Sequence, residues 1–279
     1  MTTVPEPVTR LAAVLRADNP GPMTLDGTRS YVLRAPGSAS CVVVDPGPDD
    51  AAHLDALAAA GPVELVLVTH RHADHTAGSP GLRARTGAPV RAADPDHCHG
   101  GAPLRGGETI RAAGLRIEVL ATPGHTADSV CLVLPDDDPG GTVLTGDTVL
   151  GTGTTVIAEP DGSLGDYLAS LDALEAVASR AVPGPATGLP GHGPVVDDLG
   201  QRVRAYRAHR HERLAQVRAA LAGLGLDPAA PDAVDRVVAH VYADVDPSVR
   251  GAARQSVAAQ LAHLAGADGR AGRGPADDR

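Results

Sequence analysis

Lysine, phenylalanine and tryptophan are absent from this 279-residue chain, and its 24 basic residues are all arginine. The missing lysine goes with an abundance of Ala, Gly, Pro and Arg, which we read as the coding bias of a GC-rich genome and not as function. Only four tyrosines stand in for the missing aromatics, so the stacking platforms that hold single-stranded nucleic acid are nearly absent. Positive charge is in deficit as well. Against 24 arginines stand 34 Asp and Glu, a net charge of −10 with histidine neutral. That excludes a protein held to nucleic acid by a broad basic surface, while leaving room for local patches. Cysteine is scarce: Cys41, Cys98 and Cys131 share no CxxC spacing. Cys41 and Cys131 lie in apolar strand-like runs, where buried thiols are expected. Cys98, in Asp-His-Cys-His, has the composition of a metal pocket, but nothing nearby completes a site, and an exposed loop is the expected reading. No apolar run approaches membrane-spanning length and the N-terminus lacks a basic-then-apolar signal pattern, so a cytoplasmic protein without membrane association is expected.

The length fits one large domain, or one domain with a small appendage. Strand-like runs alternate with amphipathic helices through about residue 195. Arg29–Ala35 and Ser40–Asp45 read as a hairpin turning at Pro36-Gly37, followed by a helix over Asp50–Ala60 and a strand over Val63–Thr69. A helix near Gly81–Thr86 precedes strands around Glu108–Arg111, Leu115–Ala121, Ser129–Leu134 and Thr142–Thr145. Leu164, Tyr167, Leu168, Leu171 and Leu174 share one face of a helix from Leu164 to about Ser179. Mixed sheets with helices outside predict a layered α/β sandwich with its loops gathered at one edge. Past His192 the character changes. Residues from about Asp198 to Leu264 read as three helices, interrupted at Gly223–Pro231 and Asp244–Pro247. We therefore expect a main domain over residues 1–197, a helical, winged-helix-like region over 198–265, and a disordered polar tail over 266–279.

The chemistry is concentrated in Thr-His70-Arg71-His72-Ala73-Asp74-His75, which closes the apolar run Val63–Val68. Four metal-competent side chains lie within six residues at a strand's carboxyl end. Three more occur in glycine-rich turns: Pro123-Gly124-His125, Thr145-Gly146-Asp147 and Gly191-His192-Gly193. Zinc takes imidazole nitrogen and carboxylate oxygen readily. His70 and His72, two apart on an extended segment, can point the same way and hold one ion with His125. Asp74 and His75 can face a second ion with His192. Asp147 is the natural bridge, since a carboxylate offers one oxygen to each cation. Two Zn2+ ions about 3.5–4 Å apart would clamp a shared hydroxide in line with the bond to be cut; iron or manganese would suit the same donors. Asp45 has two readings of equal weight, support for a ligand histidine or a turn-forming residue before Pro-Gly.

HRHADH followed by the His, Asp and His turns resembles the metallo-β-lactamase fold superfamily across roughly residues 20–195. The resemblance implies a four-layer αββα sandwich with the metals at the edge between two sheets, and it implies the same ligand assignment, every position holding the family's usual residue. Class B1 β-lactamases carry Cys at the bridging position, so Asp147 speaks against antibiotic hydrolysis as the main role. Diiron flavoproteins place Glu where His72 stands, which favours zinc. Nucleases with a large inserted domain place it between the bridging Asp and the last His, where only a helix and loops are expected here. The lactamase-beta-like protein 2 family matches best, through residues 19–28, 146–151, 154–157, 167–171 and 206–213. Arg29-Ser30 departs from its usual Asn-Thr, and Thr152 from its common Glu; both departures leave the candidate metal ligands intact.

On the helix near 201–222, Val203, Tyr206, Leu214, Val217 and Leu221 share a face, and Arg210 falls within it. An inward arginine needs a partner. An ion pair with an acid of the main domain is favoured over a cleft position meeting an anionic substrate. His209, on the flank, is the other candidate substrate contact, although surface placement is favoured. His53, His97, His99, His211, His240 and His263 have no evident partners and are assigned to solvated faces. The apolar faces of the last helices (Val234, Val237, Val238, Val241; Val249, Val257, Leu261, Leu264) read as appendage core. Nearby Asp227, Asp232, Asp235, Asp244 and Asp246 argue against DNA.

The expected function is a binuclear zinc hydrolase in which the bridging hydroxide attacks a thioester or ester of a small acyl substrate, with Asp74 orienting the hydroxide or passing its proton to the leaving group. The alternative is cleavage of single-stranded RNA at the same site, as in animal members of the resembling family. A third reading uses His70, His125 and Asp147 as a facial triad for one iron, as in persulfide dioxygenases.

Overall fold

The computed structural model describes residues 4–180, 184–243 and 250–271. The run Cys41–Val44 shows how the layers arise. In this strand, β4, side chains alternate in direction: Val42 and Val44 enter one apolar cluster, Cys41 and Val43 another. A strand apolar on both faces must be covered on both faces. One cover is a second sheet; the other is a pair of helices, α1 (Ala51–Ala59) and α3 (Ser79–Thr86), which contribute Leu54, Leu57 and Leu82.

The first sheet runs in chain order: β1 (Glu6–Pro7), β2 (Ala12–Arg16), β3 (Arg29–Leu33), β4, β5 (Val63–Leu67) and β6 (Val90–Arg91). β3 and β4 form the expected antiparallel hairpin, whereas β4, β5 and β6 are parallel. Parallel neighbours require crossovers, which α1 and then α2 (Ala73–Thr76) with α3 supply. The second sheet has the order β11 (Thr187–Pro190), β10 (Thr142–Gly146), β9 (Val130–Leu134), β8 (Leu115–Ala121), β7 (Thr109–Ala112). Its inward side chains, among them Ile117, Leu132, Leu134 and Leu144, meet Tyr31, Leu33, Val42 and Leu67 in the central core. On the far face Cys131, Val133 and Val143 pack beneath α4 (Leu164–Ala178) through Leu164, Tyr167, Leu171 and Leu174. The result is helix, sheet, sheet, helix.

Strand β11 corrects the expectation of only a helix and loops between Asp147 and His192. Thr-Gly-Leu-Pro has almost no strand propensity, but it pairs in parallel with β10 and ends one residue before Gly191. β1, β2 and β6 were likewise not read, being very short or lacking a clean alternation.

Three further helices follow: α5 (Leu199–Leu224), α6 (Ala233–Val241) and α7 (Arg250–Ala271). Asp198 caps the first, its side chain accepting from the Gln201 amide at 2.8 Å. Val237, Val257, Leu261 and Leu264 are buried in the same cluster as the outer face of the second sheet. The C-terminal helices thus share a core with the sandwich. α7 continues to Ala271, beyond Gly266 where the disordered tail was expected; Asp244, Asp246, Val249 and 272–279 lie outside the described residues. Among those described, no helix is long and apolar enough to cross a membrane.

Candidate metal centre

All seven expected ligands meet where the strands of both sheets end. β5 ends at Leu67, so its extension Val68–Arg71 delivers His70, and His72 starts the single turn α2 that turns Asp74 and His75 inward. Asp147 follows β10 and His192 follows β11, two adjacent parallel strands. His125 sits in the turn between β8 and β9. Its neighbour Gly124 has φ +138°, and a Cβ there would lie 2.4 Å from the Tyr167 Cα; only glycine lets this turn approach α4.

The donors form two sets, His70, His72, His125 and Asp147, and Asp74, His75 and His192. In the first, His72 Nδ1 lies 3.1 Å from His70 Nε2 and 3.0 Å from His125 Nε2. In the second, His75 Nε2 and His192 Nε2 are 3.3 Å apart, and Asp74 Oδ2 is 3.3 and 3.2 Å from them. Zinc–nitrogen bonds of about 2.0–2.1 Å in a tetrahedron separate neighbouring nitrogens by roughly 3.3 Å. Asp147 stands between the sets. Its Oδ2 is 3.7 Å from His125 Nε2 and 3.4 Å from His192 Nε2, and its Oδ1 is 3.5 Å from His75 Nε2.

The outer partners decide which nitrogens face inward. A carbonyl can only accept, so His125 Nδ1 donates to Val156 O at 2.7 Å and His192 Nδ1 to Gly27 O at 3.3 Å. His75 Nδ1 donates to Asp45 Oδ2 at 2.9 Å. The Thr69 hydroxyl donates to Asp45 at 2.8 Å, which leaves its oxygen to accept from His70 Nδ1 at 3.0 Å. In its neutral form each of these rings therefore presents an Nε2 lone pair to the centre. Lone pairs packed 3.0–3.3 Å apart repel one another unless a cation lies among them. The Asp147 Oδ1, buried without a hydrogen-bond partner, has the same need. The donors fit a pair of divalent cations.

The charges follow from this crowding. Burial and the neighbouring imidazoles, chiefly His75 for His70 and His125 for His72, hold His70 and His72 below the usual histidine range. Burial also opposes protonation of His75 and His192. There, however, the carboxylates win: Asp147 and Asp45 raise His75 well above its ordinary value, and Asp147 with Asp74 pushes His192 up to about 9. Burial likewise opposes ionisation of Asp74 and Asp147, but the same histidines outweigh it and hold both carboxyls far below the carboxylate range.

Of the two readings of Asp45, the structure favours support. It is buried and binds the Thr69 amide, the Thr69 hydroxyl and His75. Two expectations are corrected. Arg210 is buried but pairs with no acid among the described residues; it donates to the Thr155 carbonyl and lies over the Tyr167 ring, 5.2 Å from its centroid. The stripe meets a loop and α4 at this point, and a carbonyl and a ring face replace the expected carboxylate. His53 is not solvated: its Nε2 lies 2.8 Å from Ser30 Oγ, and burial lowers its pKa to about 4. His209 is half-buried, with no hydrogen-bond partner among the described residues. Cys98 is also half-buried, its thiol directed at the Ala92 and Asp94 carbonyls.

Several site residues went unread. Thr28 donates to Asp74 Oδ2 at 2.9 Å and is itself held by Asn19; Thr69 and Thr155 touch His70 and His125. Lone threonines carry no spacing pattern, although Thr69 immediately precedes the histidine motif. Arg71, inside that motif, pairs with Asp128 at 3.1 Å, Asp161 at 3.3 Å and Asp94 at 3.5 Å, tying the ligand turn to three other segments.

This four-layer sandwich with a metal-competent edge defines a metallo-β-lactamase-fold protein, and residues 23–185 match the model of the metallo-beta-lactamase superfamily. The chain belongs to that superfamily. Residues 233–277 match the beta-lactamase associated winged helix domain. Among relatives, the beta-lactamase-like protein 2 homolog of Caenorhabditis elegans is 31% identical over 75% of this chain and 71% of its own. The lactamase-like protein adaB of Aspergillus niger is 32% identical over 77% of this chain. The atrochrysone carboxyl ACP thioesterase of Aspergillus fumigatus is 31% identical over 73%. The chain spans only 65% and 62% of the latter two. A beta-lactamase domain protein from Burkholderia ambifaria has the same fold, at TM-score 0.74 and 24% identity over 95% of this chain and 89% of that one.

Proposed function

We propose that this protein is a binuclear zinc hydrolase that cleaves a thioester or ester of a small acyl substrate. The observation that carries the reading is the convergence of seven donors into two sets with near-tetrahedral edges, sharing Asp147. His70, His72 and His125 would hold one cation, Asp74, His75 and His192 the other. When bound, the pair supplies Lewis acidity toward the substrate carbonyl and lowers the pKa of water toward neutrality. The chain's own part is to hold and orient. Asp45, Gly27, Thr69 and Val156 keep four rings in the tautomer that offers Nε2 inward. Thr28 directs Asp74, whose partly exposed carboxylate can accept the proton of the attacking water and carry it to the leaving sulfur or oxygen. The acyl preference draws support from the thioesterase named among the relatives and from the chain's acidic charge and few aromatics. Replacement of the Asp147 carboxylate by Ala is expected to leave at most one tightly held metal, counted by elemental analysis after dialysis; two would refute the bridge.

The decisive assay incubates zinc-loaded protein with a small acyl-thioester and, separately, with a fluorescent single-stranded RNA, using His70→Ala as control. Thioester turnover lost in the variant supports the proposal. RNA cleavage lost in the variant would make the protein a nuclease.

A further inference from the structure

Arg210 is only 5% exposed. Its guanidinium is committed to the Thr155 carbonyl and the Tyr167 ring, while its Nε has no hydrogen-bond partner. Burying a cation on so few partners is unfavourable, so the segment it grips is informative. Thr155 borders the first metal set: its Oγ1 lies 3.0 Å from His125 Nδ1, and the carbonyl of the next residue, Val156, accepts from that same nitrogen at 2.7 Å. Two other side chains of α5 hold the same segment one and two turns earlier. The Tyr206 hydroxyl accepts from the Leu150 amide at 2.9 Å. Arg202 donates to the carbonyls of Leu150 at 3.2 Å and Gly153 at 3.3 Å. Positions 202, 206 and 210 are four apart, one face of a helix. They splint the stretch that leads from Asp147 to the groups orienting His125.

We propose that Arg210 is a positioning residue for the His70–His72–His125 set. By holding the Thr155 carbonyl it places the Thr155 hydroxyl and Val156 carbonyl against His125, so the C-terminal helix sets cation affinity at this set. The inference rests on the metal reading of the seven donors and not on the acyl substrate. It also replaces the substrate-contact role for Arg210, whose guanidinium is already engaged. The other set is oriented by Asp45, Gly27 and Thr28, so the effect is selective for one set.

The test titrates zinc into chelator-stripped full-length protein against a chromophoric chelator. The first set is read in a His75→Ala background and the second in a His70→Ala background. Arg210→Met keeps the aliphatic stem and removes the donors; first-set affinity is expected to fall about tenfold or more, the range for partners of metal-bound histidines, with second-set affinity unchanged. Arg210→Lys should restore part of the loss, and the cobalt(II) d–d spectrum of the first set should change in Arg210→Met alone. Thr155→Val removes only the hydroxyl and should give a smaller loss at the same set. Unchanged first-set affinity, or equal loss at both sets, in an Arg210→Met variant with the metal-free circular dichroism of the parent would overturn the proposal. Should that variant not fold, unchanged affinity in Thr155→Val overturns it. A parent chain that binds no zinc sinks the metal reading and this proposal together, whereas absence of thioester turnover alone bears only on the acyl substrate.

Discussion

Gly191 shows how closely single residues are set around the centre. A Cβ at this position would lie 2.5 Å from Asp147 Oδ1 and 2.7 Å from His75 Cε1. Both belong to buried side chains with nowhere to retreat. Gly191→Ala is therefore expected to leave the fold intact while weakening metal binding by about 10–100-fold, measured by chelator competition beside a thermal melt. His53 offers a separate residue-level test through pH. Its pKa is about 4 in the folded chain, where burial disfavours the charged form, against an ordinary 6.5. Below pH 6.5 the unfolded chain takes up a proton that the folded chain refuses, so stability falls as pH drops. The loss is about 2 kcal/mol by pH 5 and about 3 by pH 4. In denaturant melts His53→Gln should be less stable than the parent at pH 7, and the gap should narrow by those amounts on acidification; a constant gap would refute the assignment.

At the scale of elements, the candidate donors come from strand ends, and the contacts holding those ends cross from one element to another. The Tyr206 hydroxyl of α5 is the hydrogen-bond partner of the buried Leu150 amide. Tyr206→Phe leaves that donor unpaired at a cost of about 1–3 kcal/mol, to be read as a shift in urea midpoint without change in slope. Long periodic helices and the β3–β4 hairpin were legible, because amphipathic spacing and a Pro-Gly turn are local properties. β11 was not: four residues with glycine and proline become a strand only because β10 offers its edge. Asp45 was half legible, since its turn is a local property but its bonds to Thr69 and His75 bring residues 24 and 30 positions away.

For the whole molecule, the C-terminal helices and the sandwich share one apolar cluster and are expected to unfold as one cooperative unit. Leu164, Tyr167, Leu171 and Leu174 of α4 share a cluster with Val203, Tyr206, Leu214, Val237, Val257 and Leu261. A chain ending at residue 197 would expose that apolar face. It is expected to aggregate or to melt at least about 10 °C lower than the full chain in a calorimetric scan, since several large side chains at about 1.5–3 kcal/mol each lose their cover. Equal melting would show that the first 197 residues are an independent domain.

Read alone, the sequence supplied the donor inventory and the class. Six of the seven candidate donors are histidines or an aspartate at strand-end motifs or beside glycine, and Asp74 follows at motif spacing, so the donor inventory and the layered α/β pattern were both local information. The division of those donors into two sets and the place of Asp147 between them were expected from the spacing; tertiary structure decided which nitrogen each ring presents, because that depends on partners such as Gly27, Asp45 and Val156 that lie elsewhere in the chain. It also turned Arg210 away from any acid and onto a backbone carbonyl. A helical stripe specifies that a side chain points inward, but only the packed neighbours determine what it meets there.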